Sequence, residues 1–210
     1  MLAALPPPKD QRTIYSLGGV RRMTTRGKLG LSLNLTIDHI PEGRPNRSGT
    51  PLKAEFITIH NTDNSSIGAD AEAHAKFVKN TGYYIHKGQK RWVSWHYTVD
   101  DDSVVRHLPL NEVGWHAGSA EGNANSIGIE ICMNEGIDQN QAFDRAQRLV
   151  ACLCYDLNLE VAVAVQPHMH WSGKLCPSLL LDGGKLGARW KNFLSGVDSY
   201  LASIKDPAGV

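Results

Sequence analysis

The sequence predicts an α/β fold in which a mixed central β-sheet is flanked by helices. Three observations point there. Five short runs are rich in β-branched and aromatic residues, three longer runs carry apolar residues at helical spacing, and the helical runs fall between or after strand runs along the chain. Hydrophobic residues make up 41% of the 210, enough to bury a full core in one domain.

The elements follow in order. Residues 1–33 mix Pro, Gly, Arg and Lys with weak periodicity and read as a loosely attached extension. Residues 34–205 then form the folded domain. Pro41 to Pro51 is a loop by its Pro, Gly and Asn content. The first strand is Glu55–His60. A helix over Ala69–Lys79 turns Ala73, Phe77 and Val78 inward. Strands Trp92–Val99 and Ser103–Leu108 flank Asp100, Asp101 and Asp102, a hairpin-like turn. A fourth strand spans Ser126–Cys132. In the helix Phe143–Leu157, the residues Ala146, Val150, Leu153, Cys154 and Leu157 share a face. Val161–Val165 is the fifth strand. The last helix, Lys185–Ile204, aligns Trp190, Phe193, Leu194, Val197, Leu201 and Ile204, and residues 206–210 are a tail.

Composition excludes several classes. The net charge is +1 with no Arg- or Lys-rich stripe, so nucleic acid is not an expected partner. No run approaches the roughly 18 apolar residues of a membrane span. Only Met1 to Leu5 precede Pro6, Pro7 and Pro8, too short for a signal-peptide core, which predicts synthesis in the cytoplasm. The four cysteines, Cys132, Cys152, Cys154 and Cys176, do not space as a disulfide scaffold; free thiols are expected, one of them a metal ligand.

The strongest local signal runs from Pro167 to Pro177. It holds His168, His170, Lys174 and Cys176, with Gly173 to turn the chain sharply. Zinc accepts nitrogen and thiolate ligands tetrahedrally, and a catalytic zinc keeps three protein ligands and one open position. The third ligand expected is His60, at the end of the apolar strand Phe56-Ile57-Thr58-Ile59, because strand ends present functional groups in α/β proteins. Spacing alone chooses neither His168 nor His170, and leaves open a Cys nucleophile paired with a His. In Ser126–Cys132, Ile127, Ile129 and Ile131 share one face; Gly128, Glu130 and Cys132 share the other. A carboxylate in an apolar strand is costly unless partnered or useful, so Glu130 is either an ion-pair member or a general base.

These residues bring the chain close to a known family. Over about residues 34–183 it resembles the type 2 N-acetylmuramoyl-L-alanine amidases, whose fold is shared with peptidoglycan recognition proteins and phage or prophage endolysins. Five ordered motifs carry the resemblance: Phe56 to Thr62, Trp95 to Asp100, Gly114 to Gly118, Asn125 to Glu130, and His168 to Pro177. The last, with its Trp-Ser-Gly-Lys-x-Cys-Pro run, marks the bacillus-type subgroup.

The resemblance implies a zinc groove on one face of the sheet, with one zinc per chain held by His60, His168 and Cys176. It favours His168 because the family's ligand lies eight residues before the Cys. It implies that Lys174 faces the reacting carbonyl and that Glu130 is the catalytic carboxylate. Some relatives carry a Tyr where this chain has Trp95, which cannot act as a base, so the burden shifts to Glu130. Trp95, His96, Trp115 and His116 are expected to line the groove and bind substrate. The implied activity is cleavage of the amide between N-acetylmuramic acid and L-alanine in peptidoglycan, by a monomer acting on the cell wall after release from the cytoplasm. Little sequence follows the last helix, so no separate wall-binding module is expected. Two alternatives remain: a non-catalytic recognition module on the same fold, and a thiol hydrolase using Cys176 or Cys132.

Overall fold

A computed structural model describes residues 25–205; the expectations for residues 1–24 and 206–210 lie outside the described residues. The chain runs α1 (Thr25–Ser32), β1 (Leu35–Ile37), β2 (Phe56–Asn61), α2 (Ala71–Asn80), β3 (Tyr83–His86), β4 (Gln89–Trp92), β5 (Tyr97–Val99) and β6 (Val104–Arg106). It continues as α3 (Ala120–Asn125), β7 (Ser126–Ile131), α4 (Gln139–Leu157), α5 (Val161–Ala164), β8 (Val165–Pro167), α6 (His168–Ser172) and α7 (Ala188–Lys205).

Among the described residues, six strands make one mixed sheet in the order β1-β6-β5-β7-β2-β8, in which only the β5–β6 pair is antiparallel. The register separates two faces. Ile57 pairs with Ile127, and Ile59 with Ile129, which also pairs with Tyr97. These side chains join the main core with Val150, Leu153, Trp190, Phe193 and Val197 of α4 and α7. On the opposite face His60 pairs with Glu130, and Glu130 with Thr98. Partnered residues in a sheet point the same way, so an imidazole and a carboxylate on adjacent strands project side by side. The mixed α/β expectation therefore holds.

Several details differ from the sequence reading. The run Trp92–Val99 is not one strand. Its start belongs to β4, which pairs only with β3, and its end is β5 of the main sheet. Between them the chain crosses from one sheet to the other, and Val93 and Trp95 pack with Ile40, Val78 and Leu108. The expected strand Val161–Val165 is also corrected. Val161–Ala164 is a helical turn in which Val163 and Ala164 both donate to the Glu160 carbonyl, at 3.2 and 2.8 Å. Val161 and Ala164 turn inward while Ala162 and Val163 are exposed, a three-residue period rather than strand alternation.

In α2 the inward face is Ala71, His74, Ala75 and Val78; Phe77 is exposed and stacks on Trp95, and Ala73 is half-buried. Both line an apolar recess beside the candidate site. Leu157 and Leu194 are half-buried at the edge of the core. The end of the stretch read as an extension forms α1. Arg26 pairs with Asp156 at 2.5 Å, and Arg145 and Arg148 each donate to the Ser32 carbonyl at 2.9 Å.

Candidate metal centre

The three strands nearest the site, β7, β2 and β8, run parallel, so their carboxyl ends open on one edge. His60 is the penultimate residue of β2, Glu130 that of β7, and His168 follows β8 directly. Cys176 returns to the same point after a turn at Gly173, whose φ of 72° is the left-handed conformation that glycine adopts freely. The loop is tied down at several places. The Met169 amide donates to the Cys176 carbonyl at 3.0 Å, and the Leu179 amide to Asn61 Oδ1 at 3.0 Å. Trp171 Nε1 donates to Thr58 Oγ1 at 2.8 Å. His170 points away, exposed, with its ring against Trp171.

His60, His168 and Cys176 thus converge. One ligand atom from each lies within 4.8 Å of the others. His60 Nδ1 is 3.0 Å from His168 Nδ1, and Cys176 Sγ is 3.9 Å from His60 Nδ1. A tetrahedral zinc bonds nitrogen at about 2.0–2.1 Å and sulfur at about 2.3 Å, which puts its ligand atoms about 3.3–3.6 Å apart. The donor set fits such an ion in chemistry as well as spacing. Burial holds His60 well below its usual range and His168 at about 4, so both rings are neutral and offer lone pairs. Burial pushes the Cys176 thiol up to about 12, and Glu130 adds to this. Such a thiol is a poor nucleophile by itself, and a bound cation would draw off its proton. Cys132 is fully buried near His74, and its thiol is also pushed up by burial; it does not line the groove.

Beside the cluster, Glu130 Oε1 lies 3.8 Å from His60 Nδ1. Glu130 Oε2 is buried without a hydrogen-bond partner. Burial raises this carboxyl to about 8, opposed by Lys174 and assisted by Asp63. Lys174 reaches in from the Cys loop, with Nζ 3.8 Å from Asp63 Oδ2. Glu130 and Lys174 line an open groove of about 690 Å³, together with Trp115, Tyr84 and Arg91. Trp95 borders the groove and donates from Nε1 to Thr98 Oγ1 at 2.8 Å.

His96 is different from expectation. It is fully buried and lies outside the groove lining. Its Nδ1 accepts from the Gly128 amide at 3.0 Å and its Nε2 bonds the Glu112 carbonyl at 2.9 Å, so it clamps backbone and has no atom left for substrate. His116 borders the groove but turns its ring nitrogens towards His60 and Ser126. Sequence reasoning passed over Asn61, which anchors the Cys loop to β2, and Asp63, the partner of Lys174. The motif His60-Asn61-Thr62 held the only hint of the former.

A His, His, Cys cluster beside a half-buried carboxyl group with one unpartnered oxygen, at parallel strand ends, defines a class: an α/β protein with a groove-lying candidate metal centre suited to hydrolysis. The chain belongs to the N-acetylmuramoyl-L-alanine amidase family, whose model matches residues 50–179. Over 167 residues it is 44% identical to the N-acetylmuramoyl-L-alanine amidase XlyA of Bacillus subtilis, covering 79% of this chain and 51% of that one. It is also 44% identical over 165 residues to CwlH, another amidase of B. subtilis, covering 77% and 60% respectively. The chain therefore spans about half to three-fifths of the length of these curated relatives. The solved catalytic domain of XlyA superposes with a TM-score of 0.68, covering 78% of this chain and 99% of that one. Among the described residues no helix is long and apolar enough to cross a membrane.

Proposed function

We propose that this chain is a zinc-dependent hydrolase that cleaves the amide between N-acetylmuramic acid and L-alanine in bacterial peptidoglycan. One observation carries the reading: three neutral-nitrogen and sulfur donors converge at the floor of a groove, beside a carboxylate with a free oxygen. Membership of the amidase family and the 44% identity to XlyA and CwlH support the substrate class.

His60, His168 and Cys176 would hold the zinc. When bound, it supplies Lewis-acid polarisation of the scissile carbonyl and of the attacking water. Glu130 takes the proton of that water at its unpartnered Oε2 and delivers it to the leaving nitrogen of L-alanine. Burial raises the Glu130 carboxyl, Lys174 opposes this, and a cation held by His60, His168 and Cys176 would further favour the ionised form that a base needs. Lys174 Nζ, in the same groove, stabilises the negative charge that develops on the carbonyl oxygen. Trp115 and Trp95 offer flat apolar walls for the substrate. A recognition module without chemistry would not need a thiol ligand or a groove carboxyl with an unpartnered oxygen.

The product identifies the bond. Purified peptidoglycan incubated with zinc-loaded protein should yield new free amino groups on L-alanine and no new reducing sugar ends. New reducing ends, or release of D-amino termini in place of L-alanine, would assign the cut to another bond.

A further inference from the structure

We propose that His116 is a positioning residue that fixes the tautomer of His60, so that His60 presents an unprotonated Nδ1 to the metal. The inference rests on the zinc reading above. It follows from a short chain of hydrogen bonds in which only one direction is possible. The Ser126 carbonyl can only accept, and it lies 3.3 Å from His116 Nε2; that nitrogen must carry the proton. A neutral imidazole protonated at Nε2 has an acceptor at Nδ1. His116 Nδ1 lies 3.1 Å from His60 Nε2, so His60 donates there and keeps its own proton on Nε2. The lone pair of His60 is then on Nδ1, the atom facing His168 and Cys176. Backbone polarity at β7 is thereby transmitted through two rings to a ligand atom.

The surroundings are built to hold His116 there. Its amide and that of Ala117 both donate to Asn123 Oδ1, at 2.9 and 2.8 Å, which locks the Gly114–Gly118 loop. Its ring fills the space over Gly128. A Cβ at residue 128 would lie 2.6–2.8 Å from three of the ring atoms, closer than real contacts allow. Gly128 is a glycine in the middle of a central strand, where the entropic and packing cost is not otherwise compensated. The two rings of His60 and His116 meet edge to face at 5.1 Å between centroids. With both nitrogens committed inward, His116 has none left to bind substrate.

The test compares zinc affinity, by competition with a chromophoric chelator, in the parent, His116→Phe and His116→Gln. Phe fills the same space without either nitrogen. Gln can donate its amide N–H to Ser126 and accept from His60 through its amide oxygen, so it preserves the direction of both bonds. His116→Phe should lose about 10–100-fold in zinc affinity, the usual effect of removing a partner of a ligating histidine. His116→Gln should regain most of that loss. Cobalt substituted for zinc should show an altered visible spectrum in the Phe variant and a parent-like one in Gln. Melting followed by circular dichroism checks the metal-free folds, and His116→Leu replaces Phe if the latter does not fold. Parental zinc affinity in the Phe or Leu variant would overturn the proposal, as would a Gln variant as weak as Phe. A parent that binds no zinc would overturn the metal reading itself, and this inference with it.

Discussion

Glu130 and Lys174 face the same groove but are built differently, and their variants should separate chemistry from binding. Glu130 is half-buried, with one carboxyl oxygen buried and unpartnered, whereas the Lys174 side chain is 53% exposed and only loosely paired with Asp63. Neither belongs to the converging donor set. Glu130→Gln keeps the shape but cannot take a proton, so it should retain zinc while losing about 10²–10⁴ in rate. Lys174→Ala should retain zinc and lose about 10²–10³, the size of an oxyanion donor. Turnover and zinc content measured on the same preparations check both; near-normal turnover in zinc-loaded Glu130→Gln would remove it as the base. The paired histidines give a sharper contrast. His168 is buried in the cluster and His170 is exposed against Trp171, so His168→Ala should lose the metal and His170→Ala should keep it. Elemental analysis of the two variants decides this. Glu130 was legible in the sequence because strand parity alone set it against three isoleucines. The choice between His168 and His170 rested on the family resemblance and not on spacing, because it depends on how a short helix, α6, rotates after β8. The commitments of His96 and His116 were invisible for a similar reason: their partners lie up to 56 residues away in sequence.

Elements were read well where burial is periodic and badly where tertiary contacts override local preference. β2, β7, α4 and α7 show their faces directly, since one side of each packs into the main core. Val161–Ala164 carries strand-favouring valines yet forms a turn of helix, because Val161 and Ala164 must both face inward before the chain can pair beside β2. α1 contains Gly27 and Gly30 and has no fully buried residue; Leu29 packs half-buried against the main core, Arg26 pairs with Asp156, and Arg145 and Arg148 reach its end, none of which is visible locally. The two-faced sheet makes its own prediction. Ile129 is fully buried on the core face, next to Glu130 in sequence but opposite it in space. Ile129→Ala should destabilise the fold by about 2–5 kcal/mol while leaving zinc stoichiometry unchanged. Chemical denaturation of the zinc-free form measures the first and elemental analysis the second. Loss of metal without loss of stability would mean that the faces are not independent.

The whole molecule carries an unusual load of buried imidazole, and this sets its response to acid. His96 is held at about 4 and His107 at about 3, each chiefly by burial, against an ordinary value of 6.5. Both bind protons more readily when unfolded. Their contribution to stability is therefore complete above pH 6.5 and is lost as pH falls towards 4 and 3. Metal-free protein should show a falling melting temperature over that interval, and His107→Gln should flatten the slope; a parent melting temperature flat from pH 6.5 to 4 would contradict this. Metal-free protein is the right form, because acid-driven release of a bound metal would otherwise add its own loss. Parallel strand ends and the loop after α6 bring His60, His168 and Cys176 to a single point, and the proposed claim is that this point works only with a metal bound. Zinc returned stepwise to stripped protein, with release of L-alanine amino groups followed at each step, tests that claim most directly. Activity should rise linearly from near zero and level off at one zinc per chain. Full activity in the stripped protein, or a plateau at any other ratio, would contradict it.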